Sequence, residues 1–415
     1  MTCVRSWLAG AVLALAATAA GQSLPQLLTE AKTHNPEILA ARAAWQAARQ
    51  VPSQVSTLPD PQVQVQSFSI GGPLPFQGYS TSPMAYIGWG ISENLPYPGK
   101  LKLRGEIATR KAAALEQDDL AVQRRVGAEL ETAYYRLADT QAVRTVLEGD
   151  QTSLHQIEQV AEARYRQGQG NAQDVLKAQL NETKLLDQLA TNTQAAASAE
   201  ARLKQLLDRP PNSPNLSAAP LTETPLSISV GQLLQLAQQQ NPSLDAWQQA
   251  QHASDLQVSL AKKDFYPDFN AQFMWRRTDP VQFPSSYMLT LGVTLPIFRS
   301  QRQRPELAEA LAHRDQARSE YQAAAQQANF GVQDAYARVE SETQVVRIYR
   351  QGLIPQATAA YSAGLAAYET GREDFQSLLG SLLDLQALDL DYWNVLAQRE
   401  SALAELERLT GTKLH

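Results

Sequence analysis

The side chains that most often bind metals or act as nucleophiles are few in this chain and widely separated. The five histidines, His34, His155, His252, His313 and His415, are scattered, and none lies at ligand spacing from another. Because a metal site needs clustered ligands, we expect no metal site and no bound cofactor. The sequence also has no glycine-rich phosphate loop, no nucleophile and base arrangement and no convergent acid pair. It therefore gives no support for an enzyme.

The only cysteine, Cys3, precedes an apolar run from Trp7 to Ala20 that ends in small residues. This pattern predicts a secretory signal peptide at residues 1–21, with cleavage between Ala19 and Gly21, and the alternative is an N-terminal core helix. Cleavage would remove the one thiol, which excludes disulfides, zinc–thiolate sites and a cysteine nucleophile. No cysteine follows the cleavage point to carry a lipid anchor.

Two turns with the same pattern are the most informative feature of the chain. They are Tyr165-Arg-Gln-Gly168 and Tyr368-Glu-Thr-Gly371, and each lies between a long helical pattern and a returning one. A helix most often ends where one residue can adopt a left-handed backbone, and glycine does so without steric cost. Each turn is therefore predicted to be the tip of a helical hairpin.

The helical pattern before the first tip has no convincing break between Lys100 and Arg166, and the return helix runs to about Leu207. A helix of that length would measure about 100 Å at ~1.5 Å per residue, roughly three times the thickness of a bilayer's hydrocarbon core. Apolar residues follow the three-and-four spacing of a coiled-coil seam. They are Val126, Leu130, Ala133, Leu137, Leu147, Leu154, Ile157 and Ala161.

The second half of the chain repeats the landmarks of the first half in the same order. Asn35-Pro36 corresponds to Asn241-Pro242, and both tips and several proline motifs recur at separations between 200 and 208 residues. We predict a first repeat at 22–214, a linker or equatorial segment at 215–229 and a second repeat at 230–415. Each repeat opens on a helical pattern, the first of which is predicted to run from Ser23 to Gln50 with a step at Asn35-Pro36.

Four short segments alternate between apolar and polar residues, as strands do. They are Gln62–Gln66, Ile87–Ile91, Phe269–Arg276 and Tyr287–Leu295, and aromatic residues gather on them. The first pair departs from strict alternation at Ser67 and Glu93. The fold class is therefore mainly α with a small β part, consisting of long coiled-coil helical hairpins and four β-strands. A small soluble sheet with an aromatic core is one interpretation.

A membrane barrel is the other interpretation of the strands. Four strands cannot close a barrel, and an open edge in lipid would leave backbone groups unpaired. Three copies of the chain would supply twelve strands. The helices, far longer than a membrane, would then extend into the periplasm.

The chain resembles the outer-membrane efflux protein family, the TolC-like trimeric channel-tunnels. The residues that carry the resemblance are the duplicated plan, both Asn-Pro steps, both Tyr-x-x-Gly tips, Leu58-Pro-Asp-Pro61, Leu95-Pro-Tyr-Pro-Gly-Lys-Leu101, Leu353-Ile-Pro355-Gln-Ala and Leu403-Ala-Glu-Leu-Glu-Arg-Leu-Thr-Gly411. The stretches Leu58 to Pro61, Leu95 to Arg104 and Arg164 to Ala178 look most like the heavy-metal-efflux branch.

The resemblance implies a homotrimer with a twelve-stranded β-barrel in outer-membrane lipid and an α-helical barrel in the periplasm. It also implies a periplasmic adaptor protein that opens an iris at the tips, and an inner-membrane pump that supplies the energy. The channel would be a passive exit duct. The charge of -6 and the lack of a basic patch give no indication of nucleic-acid binding.

The resemblance further implies roles for residues at the tips. Those expected to receive the adaptor are Gly168, Gln169, Gly371 and Arg372, although the glycines could serve only as helix caps. The aperture or iris residues are Tyr165, Asp174, Lys177, Tyr368, Asp374 and Ser377. The positions of an acidic ring in the family hold Ser377 and Gly380 in the second repeat and Asp174 and Lys177 in the first, so the carboxylate ring is reduced or differently built. Asp374 could instead favour the start of its own helix.

Two other functions fit the sequence. A secreted structural coiled-coil protein would be extracted from cells without detergent, and the exit duct of a type I protein-secretion system would have the same fold. These residues do not identify the pump or the adaptor. Because a wide bore discriminates little between substrates, the pump would determine which substrate is transported.

Overall fold

The structure, a computed structural model, describes residues 23–70, 74, 76, 84–278 and 284–414. The predicted signal peptide at 1–21 lies outside the described residues. The first half contains α1 (Leu24–His34), α2 (Pro36–Ala48), α3 (Val51–Ser56), β1 (Gln62–Phe68), β2 (Tyr86–Leu95), α4 (Lys100–Arg166) and α5 (Ala172–Leu206). The second half contains α6 (Val230–Gln240), α7 (Pro242–Lys263), β3 (Asp268–Arg277), β4 (Ser286–Thr294), α8 (Gln303–Ile348), α9 (Ile354–Glu369) and α10 (Phe375–Thr410). The order of elements in the first half is thus repeated in the second.

The longest helix, α4, is continuous over 67 residues, with the predicted bounds. All eight residues of the predicted seam are buried, from 0 % exposed at Val126 to 7 % at Ala133. Near the tips the seam packs against Leu378, Leu379 and Leu382 of α10, and against Ala178 and Leu185 of α5. The two hairpins therefore share one apolar core close to their tips.

The prediction of one helix from Ser23 to Gln50 is wrong, because the chain breaks at Asn35. A residue before proline is restricted to extended conformations, and Asn35 has φ -60° and ψ 124°. Its side-chain oxygen accepts hydrogen bonds from the N–H groups of Glu37 and Ile38, at 2.9 and 3.2 Å. Its side-chain nitrogen donates to the carbonyl oxygen of Leu206, at 2.9 Å. The break thus ties the start of α2 to the end of α5.

The second repeat contains the same arrangement. Asn241 caps α7 by accepting a hydrogen bond from Ser243 N–H, at 2.9 Å, and donates to the carbonyl oxygen of Leu409, at 3.0 Å. In each repeat, an asparagine therefore joins an early helix to the end of the return helix.

The four strands form one antiparallel sheet in the order β1-β2-β3-β4. A row of residues crosses all four strands, with Val65 opposite Trp89, Trp89 opposite Trp275 and Trp275 opposite Tyr287. This face is apolar and exposed in the single chain, where Val65 is 66 % and Tyr287 78 % exposed. Within the described residues, β1 and β4 each have a strand on one side only.

The helix arriving at the second tip is interrupted, unlike α4. Residues Tyr349–Leu353 form a single π-helical turn between α8 and α9. Pro355 follows this turn, and a proline in a helix removes one backbone hydrogen bond and clashes with the carbonyl four residues earlier. The helical segment before the second tip is therefore divided into α8 and α9.

The segment 215–229 between the repeats packs against the helices through Leu216 and Leu221. Arg399, almost fully buried, donates to the carbonyl oxygen of Thr224 at 2.6 Å and to the carboxylate of Glu400. Glu400 in turn accepts a hydrogen bond from Thr224 N–H at 3.2 Å. A buried, fully bonded charge pair thus fixes this segment to α10.

Among the helices of the described ranges, none has the combination of length and apolar content that a span through a bilayer requires.

Candidate functional site

Both tip turns end their helices with the same hydrogen-bond pattern. Gly168 has φ +71° and Gly371 has φ +74°, a region that other residues rarely adopt. At the first tip, the N–H of Gly168 donates to Tyr165 O at 3.0 Å, and the N–H of Gln169 donates to Arg164 O at 2.9 Å. The pair of bonds is that of a Schellman cap, which satisfies carbonyls at the end of a helix.

The second tip repeats this cap. The N–H of Gly371 donates to Tyr368 O at 3.0 Å, and that of Arg372 donates to Ala367 O at 2.9 Å. Gly168, Gln169, Gly371 and Arg372, the four residues expected to receive a partner, are all exposed. A cap and an exposed docking surface are therefore compatible at both tips.

The return helices begin with side-chain caps. Asn171 caps α5 by accepting a hydrogen bond from Gln173 N–H, at 3.2 Å. Asp374 caps α10 by accepting one from Ser377 N–H, at 2.9 Å. A carboxylate at a helix N-terminus is also favoured by the helix dipole. Within the single chain, Asp374 and Ser377 thus interact with each other and stabilise the start of α10.

The two tip tyrosines occupy equivalent positions but have opposite environments. Tyr165 is 50 % exposed, whereas Tyr368 is 2 % exposed. The ring of Tyr368 packs edge-on against Phe375, with 6.0 Å between the centroids. The guanidinium of Arg164 lies over the Tyr368 ring, 4.6 Å from its centroid, and donates a hydrogen bond to the main-chain carbonyl of the same residue. Arg164 therefore joins the end of α4 to the end of α9.

Two further predicted residues face the second hairpin. Lys177 Nζ donates to Gln376 Oε1, 2.5 Å away, so α5 is linked to the first turn of α10. Burial raises the pKa of the Tyr368 phenol, the charge of Arg164 lowers it, and the carboxylate of Asp174 raises it further. Asp174 is thus close enough to Tyr368 to influence its proton without a direct hydrogen bond between them.

The structure brings together only part of the predicted iris set. Tyr368, Asp174 and Lys177 lie where the two hairpins meet, whereas Tyr165 is exposed and Ser377 bonds within its own helix. At Gly380, a Cβ would meet nothing within 4 Å, so this surface is open in the single chain.

Sequence reasoning missed Arg164, Phe375 and Gln376, which make the contacts between the tips. Arg164 lies in the last turn of α4, where a basic residue is common because it offsets the helix dipole. That position gave no reason to expect a partner 204 residues away. The one available signal for Phe375 is its place directly after the Asp374 cap, among apolar residues of α10.

A polar group interrupts the apolar core above the tips. Asp150 of α4 has one carboxylate oxygen, Oδ2, buried without a hydrogen-bond partner in the described structure. Burial raises its pKa to about 6, a hydrogen bond with Gln386 of α10 lowers it, and the charge of Asp389 raises it further. Gln386 Nε2 also donates to Gln188 Oε1 of α5, at 3.4 Å. Asp150 and Gln188 of the first hairpin therefore lie beside Gln386 and Asp389 of the second.

Comparison with known proteins finds the same architecture elsewhere. The family model described as "Outer membrane efflux protein" matches residues 27–209 and 233–412, one block in each repeat. A search of the curated proteins finds no match.

Solved structures of outer-membrane channels are similar to the chain at low sequence identity. VceC from Vibrio cholerae has a TM-score of 0.80 at 19 % identity, covering 94 % of this chain and 97 % of VceC. CusC, described in connection with transmembrane channel formation, has a TM-score of 0.80 at 18 % identity, covering 95 % and 93 %. The open state of the Neisseria gonorrhoeae channel MtrE has a TM-score of 0.79 at 17 % identity, covering 94 % and 89 %.

Proposed function

The chain belongs to the outer membrane efflux protein family, and we propose that it forms, as a homotrimer, the passive exit duct of a tripartite efflux system. Its family is one of channels rather than enzymes. The observation that carries the proposal is the four-stranded sheet, which has one exposed apolar face and, among the residues that the structure describes, no strand beside the outer edge of β1 or of β4. In lipid, those edges must be paired by neighbouring chains, and three chains supply a ring of twelve strands.

The helices support a duct that continues into the periplasm. The 67 residues of α4 correspond to about 100 Å of helix at ~1.5 Å per residue. Since each pair of strands is preceded by one helix and followed by a long one, α4 or α8, the hairpin tips lie far from the sheet along the chain. The tips are thus the part of the protomer that can meet components anchored at the inner membrane.

The adaptor is proposed to dock on the exposed tip turns, around Gly168, Gln169, Gly371 and Arg372. The contacts of Arg164 and Lys177 with the second hairpin, and the neighbourhood of Asp174 and Tyr368, would hold the tips together until the adaptor binds. An inner-membrane pump supplies the energy. The likeness of Leu58 to Pro61, Leu95 to Arg104 and Arg164 to Ala178 to the heavy-metal-efflux branch supports heavy-metal ions as substrates.

Cross-linking of the sheet edges tests the trimer. The chain has no cysteine after Cys3, so a V65C/L291C variant places single thiols on β1 and β4. In isolated outer membranes, a bismaleimide about 10 Å long should produce covalent dimers and trimers. The single variants V65C and L291C carry only one reactive edge and should give no trimer. A monomeric protein that fractionates with soluble periplasmic contents would contradict the proposal.

Docking of the adaptor is tested with a photoreactive amino acid at Gln169 or Arg372. Co-expression with the adaptor encoded nearest to the gene should give a cross-linked product from both positions. Arg318, exposed on α8, provides a control position away from the tips. Equal cross-linking from Arg318, or none from either tip, would show that the adaptor does not dock there.

A further inference from the structure

Three side chains of the first hairpin converge on one point between α4 and α5. His155 and Glu158 are one turn apart on α4, and Glu182 lies on α5. His155 Nδ1 is 3.7 Å from Glu158 Oε2 and 3.6 Å from Glu182 Oε1. One ligand atom from each of the three residues lies within 4.8 Å of the other two.

These separations are close to those around a bound metal ion. Zn²⁺ binds nitrogen and oxygen ligands at about 2.0–2.2 Å in a tetrahedron, which places neighbouring ligand atoms roughly 3.4 Å apart. The two distances from the histidine exceed this separation by about 0.2–0.3 Å, and the two carboxylate oxygens, within 4.8 Å of each other, would have to approach by at most about 1.4 Å to bind one cation. Three protein ligands also leave the fourth position for water.

The charge around this point is unusual for the side of a coiled-coil seam. Glu158 and Glu182 flank the apolar seam formed by Leu154, Ile157 and Leu185, where facing helices normally place opposite charges. Here two carboxylates face each other, 19 % and 28 % exposed. Within the described residues, no lysine or arginine forms an ion pair with either of them, and the imidazole of His155 lies within 4.0 Å of both carboxylates.

Neighbouring amides orient the ligand atoms. Gln179 Nε2 donates to Glu158 Oε1 at 2.9 Å, which leaves Oε2 facing the histidine. The side-chain nitrogen of Gln159, Nε2, lies 3.0 Å from His155 Nε2 and donates a hydrogen bond to it, so that without a metal the imidazole proton is on Nδ1 and faces the carboxylates. A cation bound at Nδ1 displaces this proton, and with the amide of Gln159 turned by 180° its oxygen accepts the Nε2–H.

We propose that His155, Glu158 and Glu182 bind one divalent transition-metal cation of the Zn²⁺ class. The imidazole ligand distinguishes this site from Ca²⁺ and Mg²⁺ sites, which are built from oxygen ligands. The bound cation neutralises the facing carboxylates and ties α4 to α5. It lies about 20 Å from the Gly168 turn along α4, at ~1.5 Å per residue. The site does not depend on the proposed function of the channel.

Zinc binding by the full-length chain tests the proposal. The protein is purified in detergent without a polyhistidine tag, stripped with a chelator and titrated with Zn²⁺ against a chromophoric chelator. One Zn²⁺ per protomer is expected. H155A and E182Q each remove a direct ligand. Because mutation of residues that only support a ligand already lowers metal affinity by up to about 100-fold, each of these variants should weaken Zn²⁺ binding by at least that factor. E158Q should have the same effect.

The matched control is H313A. His313 is similarly exposed on α8, but its imidazole faces a single carboxylate, that of Glu309, at 3.8 Å. H313A should bind Zn²⁺ as the parent does, and excess Ca²⁺ or Mg²⁺ should not displace the metal. The proposal is overturned by equal weakening in H313A, by binding that survives in H155A and E182Q, or by displacement with Ca²⁺.

Discussion

Arg164 and Tyr368, 204 residues apart in sequence, form the closest polar and aromatic contact between the two hairpin tips. The arginine lies over the tyrosine ring at 4.6 Å and also donates to its main-chain carbonyl. One side chain thus acts on both the ring and the backbone of the residue before the second turn.

R164A should loosen the second tip. The variant loses a cation–π contact and a charge-assisted hydrogen bond, together about 1–3 kcal/mol. The expected result is faster cleavage by proteinase K at the Gly371 turn, together with a larger single-channel conductance in planar bilayers. R166A is the control, because Arg166 pairs only with the exposed Glu162 on its own helix, at 2.6 Å. Identical cleavage of R164A and R166A would show that the contact does not hold the tip.

N35A should destabilise the fold, because Asn35 both caps α2 and donates to the buried end of α5. The loss of a cap and of one partner of a buried carbonyl amounts to about 2–4 kcal/mol. N241A should have an effect of similar size, since Asn241 makes the equivalent bonds. Guanidinium unfolding in detergent, followed by circular dichroism, measures both.

Two further variants separate the two roles of this asparagine. N35D keeps the cap acceptor but cannot donate to Leu206 O, so it should lose about 1–3 kcal/mol. N171A removes a cap on an exposed helix start and should cost about 1 kcal/mol. If N35A lowered the free energy of unfolding by no more than N171A does, the hydrogen bond to Leu206 O would make no contribution to stability.

Stability should depend on the charge of Asp150. Its pKa of about 6 in the folded chain is above the ordinary value of 3.8, so the folded state binds more protons than the unfolded state between these values. The contribution of protonated Asp150 to the free energy of unfolding is complete below about pH 4 and is lost as the pH rises through about 6. D150N should therefore unfold at a higher temperature than the parent above pH 7, and at the same temperature at pH 4.

The control for this pH dependence is D384N, an exposed aspartate of α10. It removes one carboxylate at an exposed position of the helix that carries Gln386 and Asp389, so it corrects the unfolding midpoint for the loss of one charge. A D150N curve parallel to that of D384N would mean that Asp150 titrates as it does in the unfolded chain.

The π-helical turn should tolerate the deletion of one residue. Tyr134 and Tyr165 are 31 positions apart, whereas the corresponding Tyr336 and Tyr368 are 32 apart, and single π turns within α-helices accommodate such an extra residue. Deletion of Gly352 from P355A should therefore give a regular helix and a folded protein. The measurement is the thermal unfolding midpoint, compared with that of P355A alone.

Gly149 offers a matched deletion in the uninterrupted α4. An added Cβ would meet nothing within 4 Å at either glycine, so neither is required for close packing. Deletion of Gly149, however, rotates Leu154, Ile157 and Ala161 by about 100° from the seam. We expect little folded protein from this variant. Equal tolerance of the two deletions would argue against a one-residue insertion.

The elements that local patterns determine were predictable. Seam spacing predicted α4 with its bounds, and period-two alternation located the four strands, because both patterns report which face of an element is buried. Glu93 interrupts the apolar phase of β2, and the register places it opposite Ala271 on that same face. The family match in two blocks agrees with the predicted duplication.

Contacts between distant segments were not predictable in the same way. The tip tyrosines share the Tyr-x-x-Gly pattern, yet Tyr165 is exposed and Tyr368 is buried, because Arg164 and Phe375 pack against Tyr368. Sequence spacing showed His155 without a second histidine, but the facing Glu182 comes from the next helix. The Asn35-Pro36 pair was visible in the sequence as an irregularity in the helical pattern. The hydrogen bond from Asn35 to Leu206 O, which accompanies the end of α1 at this point, was not.

The interruption between α8 and α9 gives the two hairpins different mechanical properties. A continuous α-helix resists bending along its whole length, whereas a turn with wider hydrogen-bond rings followed by proline is a compliant joint. A force applied at the tips would therefore strain the second hairpin first, with the first hairpin serving as a rigid strut against which it flexes.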